Sequence, residues 1–216
     1  MATLPRLRRT LVLPSHSIGV LQSVELADGA SLAPCAYDCR ILFYGDSITQ
    51  GHDSTWDSLS YAYGITRLYN AESVIQGIGG AYFHEDTFDP AIDFDPDMVL
   101  VAYGTNDWGA FKTLEELRRH TRLFLDQLVD RFAGKKLFGL SPLWRADTDP
   151  ARPMGSFEDC CRVVKEEIAA HGMILIEGET LTPHVTTFYS DGCLHPNAAG
   201  YSLYAQNLYT QMQKHL

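Results

Sequence analysis

Four short blocks of this chain carry residue types that can do chemistry, and each also has a plainer reading. The first is Gly45-Asp46-Ser47-Ile48-Thr49-Gln50-Gly51, directly behind the apolar run Ile41-Leu42-Phe43-Tyr44. A β-branched and aromatic run that ends in Gly-Asp-Ser ahead of a helical pattern reads as a strand-to-helix turn. Unpaired N–H groups and the positive end of a helix converge at such a turn, which favours the alkoxide and oxyanion of an acyl-transferring serine. Asp and Ser are also good helix caps, so the tripeptide alone leaves both readings open. The second block, Gln76-Gly77-Ile78-Gly79-Gly80, is a glycine cluster that lets backbone N–H groups approach a ligand. Its resemblance to a dinucleotide loop fails, because the third glycine of GxGxxG falls at Tyr82 and no basic residue follows. The third block, Gly104-Thr105-Asn106-Asp107, is made of residues that also suit a plain turn. The fourth, Asp191-Gly192-Cys193-Leu194-His195-Pro196-Asn197, sets an acid and a histidine ahead of the last helical stretch. A lone histidine there is commonly structural, and the acid beside it shifts the balance towards chemistry.

For these blocks to work together, the elements that carry them must end at one place. Strand-like runs are expected at Ile41–Tyr44, Ser73–Ile75, Met98–Tyr103, Leu137–Leu140 and Met173–Ile176. Helical stretches are expected at about Ser58–Tyr69, Thr113–Phe132, Phe157–His171 and Asn197–Lys214. In the second of these, Leu114, Leu117, Thr121, Phe124, Leu128 and Phe132 recur at intervals of three and four, so one face is apolar. Thr113 supplies a cap, with Glu115 and Glu116 in the first turn. Strands alternating with helices imply parallel pairing through right-handed crossovers and a sheet covered on both faces. The ligand crevice of such a sheet lies outside the carboxyl ends of its strands, and the first three blocks each follow a strand.

Composition bounds the function. The chain has 216 residues, 45% of them hydrophobic and 20% charged, as expected for a soluble globular protein with a full core. A formal net charge of -10 argues against a nucleic-acid partner. No apolar run approaches a membrane span of roughly 20 residues. The basic start is followed only by Leu11-Val12-Leu13 before Pro14, too short for the core of a signal peptide. Five cysteines (Cys35, Cys39, Cys160, Cys161 and Cys193) form no CxxC pair. An odd number favours reduced thiols and a cytoplasmic location. The histidines show no HxH or HxxxH spacing, so no metal site is expected.

Residues 1–38 differ from the rest. Ile18, Val20, Val24 and Leu26 fall on one side of an extended pattern, Asp28-Gly29 is a turn signal, and Ala33-Pro34 ends the segment. This reads as a β-arm, packed on the main domain of residues 39–216 or on a second copy of the chain in a homo-oligomer.

Taken together, the four blocks resemble the SGNH (GDSL) hydrolase family, in the family's order and over about residues 39–216. That resemblance implies a flavodoxin-like three-layer α/β/α fold with a five-stranded parallel sheet, and a cofactor-free serine hydrolase acting on a small-molecule ester. It implies Ser47 as nucleophile and His195 as general base. The oxyanion donors would be the Ser47 N–H, the Gly80 N–H and the Asn106 side-chain amide. Asp46 is then a brace for the turn. The block is not the GxSxG elbow of α/β-hydrolases, because Thr49 replaces the second glycine.

One feature departs from the family. Its acid commonly lies three residues before the histidine, a position held here by Gly192, while Asp191 lies four before. Either the loop bulges at Gly192 and Asp191 reaches His195, or a backbone carbonyl or another acid orients the ring. Trp108 and Trp144 follow the third and fourth strands and are expected at the crevice mouth, against an acyl chain or a sugar face, or else in the core. The expected substrate is a small acyl ester such as an acetylated carbohydrate. The alternatives are an acyltransferase and a catalytically idle carbohydrate-binding module.

Overall fold

The computed structural model describes residues 7–216. The chain runs β1 (Cys39–Gly45), α1 (Ser47–Gln50), α2 (Tyr61–Leu68), β2 (Ala71–Gly77), β3 (Met98–Ala102), α3 (Asp107–Ala110), α4 (Leu114–Arg131), β4 (Lys136–Leu140), α5 (Phe157–Ala170), β5 (Ile174–Ile176) and α6 (Ala198–Met212), with short 3-10 turns between. The strands form one five-stranded sheet in the order β2-β1-β3-β4-β5, and every pairing is parallel. This is the flavodoxin-like order, in which the chain switches direction across the sheet between β1 and β3.

Alternation along β1 divides the core in two. Leu42 and Tyr44 face α4 and α5 with Val99, Val101, Phe124 and Val164, while Ile41 and Phe43 face α2 and α6 with Leu100, Ile65, Tyr204 and Leu208. A strand buried on both faces has to be apolar throughout, hence the unbroken run Ile41–Tyr44. The α4 start carries a capping box, Thr113 and Glu116 each satisfying the other's backbone N–H. On the α4 side, Phe124 meets Tyr44, Phe83, Phe88 and Tyr103 edge-on, at ring centroid separations of 5.5–5.9 Å. Phe83 and Tyr103 flank the loops after β2 and β3, so this cluster ties the core to the strand ends.

Within the single chain the expected β-arm does not form on the main domain. No strand forms between residues 7 and 38, and Ile18, Val20, Val24 and Leu26 are 96%, 75%, 58% and 45% exposed. Extended backbone becomes a strand only when a neighbour takes its N–H and C=O groups, and among the described residues none does. The first six residues of the expected arm lie outside the described residues. What holds the segment is a few polar contacts near its start, described below. Among the described residues no helix is long and apolar enough to cross a membrane.

Phe124 is fully buried at the centre of the aromatic cluster. Phe124→Ala should therefore cost about 3–5 kcal/mol in urea unfolding; a loss below about 1 kcal/mol would contradict the central place given to this ring.

Candidate active site

Ser47 opens α1, which is one turn long and ends at Gly51 in the left-handed conformation. The next α-helix begins at Tyr61, within the stretch expected from the sequence, so the macrodipole at Ser47 is that of a single turn. The donor groups themselves carry the local positive potential. Asp46 caps the turn, its Oδ1 accepting from the Ile48 N–H at 2.9 Å. The turn is tight, since a Cβ on Gly45 would lie 2.0 Å from Thr49 Oγ1.

The structure brings three of the expected residues into one line. Ser47 Oγ lies 2.9 Å from His195 Nε2, and His195 Nδ1 lies 2.8 Å from Asp191 Oδ2. The one-residue offset is absorbed by the loop. Gly192 adopts φ +75°, and the turn wraps round the acid so that Asp191 Oδ1 accepts from the N–H groups of Cys193, Leu194 and His195. With Oδ1 held by the backbone, Oδ2 is presented to the imidazole. Burial raises the Asp191 pKa, but the Leu194 and Cys193 N–H groups, together with the His195 ring and N–H, more than offset it. The carboxyl is held well below the usual range and stays ionised. Such an acid keeps the proton on Nδ1, leaving Nε2 free to accept from the Ser47 hydroxyl. The loop is anchored outside by Ser190 N–H to His195 O at 2.8 Å and Ala146 N–H to Cys193 O at 2.9 Å.

Gly80 and Asn106 lie beside each other, joined through Ala81. A Cβ on Gly79 would lie 3.9 Å from Ser47 Cβ, which places the glycine loop against the serine. The Ser47 and Gly80 N–H groups have no hydrogen-bond partner among the described residues. Asn106 Nδ2 donates to Ala81 O at 2.9 Å. An amide has two such hydrogens, so this bond orients the plane and leaves the second free.

The two tryptophans part company. Trp108 has no exposed surface; its indole N–H donates to Gly155 O at 3.0 Å, and Arg152 lies over its ring at 4.2 Å. It is a core residue, which corrects its expected place at the crevice mouth: the short α3 turns it inward to α5. Trp144 is half-buried, stacked on His184 with centroids 5.3 Å apart and inclined to Tyr189. It borders a cavity of about 750 Å³ between the end of β4 and α5, lined also by Arg145, Thr148, Arg162 and Lys165.

Several neighbours escaped the sequence reading. His52 packs edge-on against His195 at 4.7 Å, and its Nδ1 lies 3.3 Å from His16 Nε2. His84, Glu85 and His120 are gathered from two elements, with His120 Nδ1 2.6 Å from Glu85 Oε2. His120 Nε2 lies 2.6 Å from an Arg119 nitrogen, so both ring nitrogens are engaged. No short spacing signals either group, because the partners are far apart in sequence.

Residues 43–203 match the profile of the GDSL-like Lipase/Acylhydrolase family. The chain belongs to this family. It is thereby a hydrolase acting on esters, built on the family's α/β fold. No curated protein matches the sequence. Among solved structures, the lipase/acylhydrolase from Enterococcus faecalis is 21% identical, with a TM-score of 0.66 over 82% of this chain and 97% of that one. An acetyl-xylooligosaccharide esterase from Geobacillus is 20% identical, with a TM-score of 0.61 over 82% and 94%. A Corynascus carbohydrate esterase family 2 enzyme is 18% identical, with a TM-score of 0.67 over 86% of this chain and 68% of that one. At these identities the likeness is one of fold.

Two buried acids of this hydrolase brace the site from below. Asp46 and Asp107 are fully buried, and burial pushes each up to about 7. Asp107 Oδ1 accepts from the Phe83 N–H at 2.9 Å, while its Oδ2 has no partner, as suits a carboxyl that carries a proton. Both are easier to protonate folded than unfolded, where the value is 3.8. Their contribution to stability is therefore full below the unfolded value and lost as pH rises through the folded one. Unfolding free energy should fall from about pH 4 to about pH 7, and Asp107→Asn, which stays neutral, should flatten that fall. An equally steep profile in the variant, measured by urea unfolding, would contradict the buried neutral acid.

Proposed function

We propose that this hydrolase is a serine esterase that forms an acyl-enzyme on Ser47 and removes a small acyl group, with an acetylated carbohydrate as the preferred class of substrate. The observation that carries the chemistry is the unbroken contact from Ser47 Oγ through the His195 ring to the Asp191 carboxylate. His195 Nε2 takes the hydroxyl proton as Ser47 Oγ attacks the ester carbonyl. The tetrahedral oxyanion is met by the Ser47 N–H, the Gly80 N–H and the free hydrogen of the Asn106 amide. His195 then returns the proton to the departing alkoxide. Water, activated by the same nitrogen, releases the acid and restores the hydroxyl.

The preference for a small acyl group on a sugar draws on two observations. Among the structures sharing the fold are an acetyl-xylooligosaccharide esterase and a carbohydrate esterase family 2 enzyme. Trp144, beside the loop that carries His195, borders a cavity of mixed polar and apolar lining, where its ring face suits a sugar.

A fluorophosphonate should label a single site, located at Ser47 by mass spectrometry, and p-nitrophenyl acetate should be cleaved faster than its longer-chain homologues. Labelling undiminished in Ser47→Ala would overturn the nucleophile, and a preference for long chains would overturn the substrate class. Because Asp191 contacts the imidazole directly, Asp191→Asn should lower kcat by about 10⁴, close to the effect of His195→Ala. A loss of only about tenfold, the scale of one hydrogen bond, would reduce the machinery to a Ser47–His195 dyad.

A further inference from the structure

Gln50 closes α1 three residues beyond the nucleophile, half-buried, with both ends of its carboxamide engaged. Its Oε1 accepts from the Gly79 N–H at 3.0 Å, and its Nε2 donates to Ser15 O at 2.9 Å. A carbonyl can only accept, so Ser15 fixes which way the carboxamide faces and turns its oxygen to Gly79. Ser15 is itself held, its hydroxyl bonded to the Asp57 carboxylate, and His16 beside it meets His52. Some of the polar contacts that keep the N-terminal segment on the domain, those of Ser15 and His16, thus lie beside Ser47 and His195.

The loop from Ile78 to Phe83 carries the Gly80 N–H and has no regular partner of its own. Five bonds besides that to Gln50 tie it down: Ile78 N–H to Gly45 O at 3.0 Å, Ala81 N–H to Ile78 O at 3.0 Å, Asn106 Nδ2 to Ala81 O at 2.9 Å, Thr87 Oγ1 to Tyr82 O at 3.4 Å, and Phe83 N–H to Asp107 Oδ1 at 2.9 Å. The Ala81 bond closes a turn whose central peptide is the one between Gly79 and Gly80, and such a bond survives a flip of that peptide. With glycine on both sides of that peptide, backbone sterics hold it weakly, and its N–H is the one required to face the oxyanion. The Gln50 oxygen grips the adjacent N–H.

We infer that Gln50 is a positioning residue, whose side chain sets the Gly79–Gly80 peptide so that the Gly80 N–H meets the oxyanion. The inference rests on the acyl-enzyme reading above. It differs from a merely structural role in where the loss falls: a donor that is misaimed weakens transition-state binding more than ground-state binding, so kcat drops while KM holds.

The test compares Gln50→Met, which keeps length and volume but neither accepts nor donates strongly, with Gln50→Glu, which keeps the acceptor for Gly79. Both are made in the full chain and assayed with p-nitrophenyl acetate, with a fluorophosphonate labelling rate and a thermal midpoint for each. Gln50→Met should lower kcat by about tenfold to a hundredfold with KM within about twofold. Labelling should slow in parallel, because the phosphonyl oxygen enters the same donors, and the thermal midpoint should move by no more than a few degrees. Gln50→Glu should recover part of the lost kcat. A wild-type kcat in Gln50→Met, a loss expressed in KM alone, or a Gln50→Glu variant as slow as Gln50→Met would each overturn the role. Ser47→Ala run alongside separates the two levels. Labelling that survives there overturns the nucleophile, whereas labelling lost there and unchanged in Gln50→Met overturns Gln50 alone.

Discussion

The His195 imidazole is the interaction on which the rest of the site depends, because it joins two elements that share no sheet contact. Ser47 is placed by the end of β1, and His195 by a loop nearly 150 residues later, ahead of α6. The separation of 2.9 Å holds only because α6 packs against α2 and β1 in one core, and because the loop before it is tied to the sheet through Ala146. Closing so long a loop costs entropy that grows only slowly with length, and burial of Tyr201, Tyr204 and Leu208 of α6 offsets it. A serine hydroxyl alone is a poor nucleophile, so the chemistry belongs to the packed core as much as to the side chains that meet over it.

Asp191 shows how backbone geometry replaces a motif. Its carboxylate is coordinated by three N–H groups of its own turn, which both lowers its pKa and aims its second oxygen. Only a residue that tolerates a positive φ can follow it, and Gly192 does. On the other side of the crevice the opposite device is used: Asp46 and Asp107 are buried with few donors, and burial raises them. One acid is kept charged beside the imidazole, and two are eased towards neutrality by burial.

The strands and most helices were legible in the sequence for a plain reason. β1 and β3 are buried on both faces and so are unbroken apolar runs, and α4 carries one apolar face with a Thr-Glu-Glu start. Ser47, Gly80 and Asn106 were legible as candidates because each sits where a strand of a parallel sheet must end. The N-terminal segment misled because alternation of Val20, Val24 and Leu26 describes what a strand would bury, not whether a neighbour exists to pair with it.

What the sequence by itself determined, then, is the alternation of elements and the strand ends at which polar and glycine residues collect. Local pattern suffices there, since period and apolarity act within a few residues. Tertiary structure alone decided which of those residues meet. The i, i+4 spacing of Asp191 and His195 is productive only once Gly192 bends the turn between them. Trp108 and Trp144 are alike in sequence context, yet α5 covers one and leaves the other at a cavity. Gln50 gains its partners from Ser15 and Gly79, residues of two other segments. Such contacts depend on where packing brings distant backbone together, and no short window of residues records that.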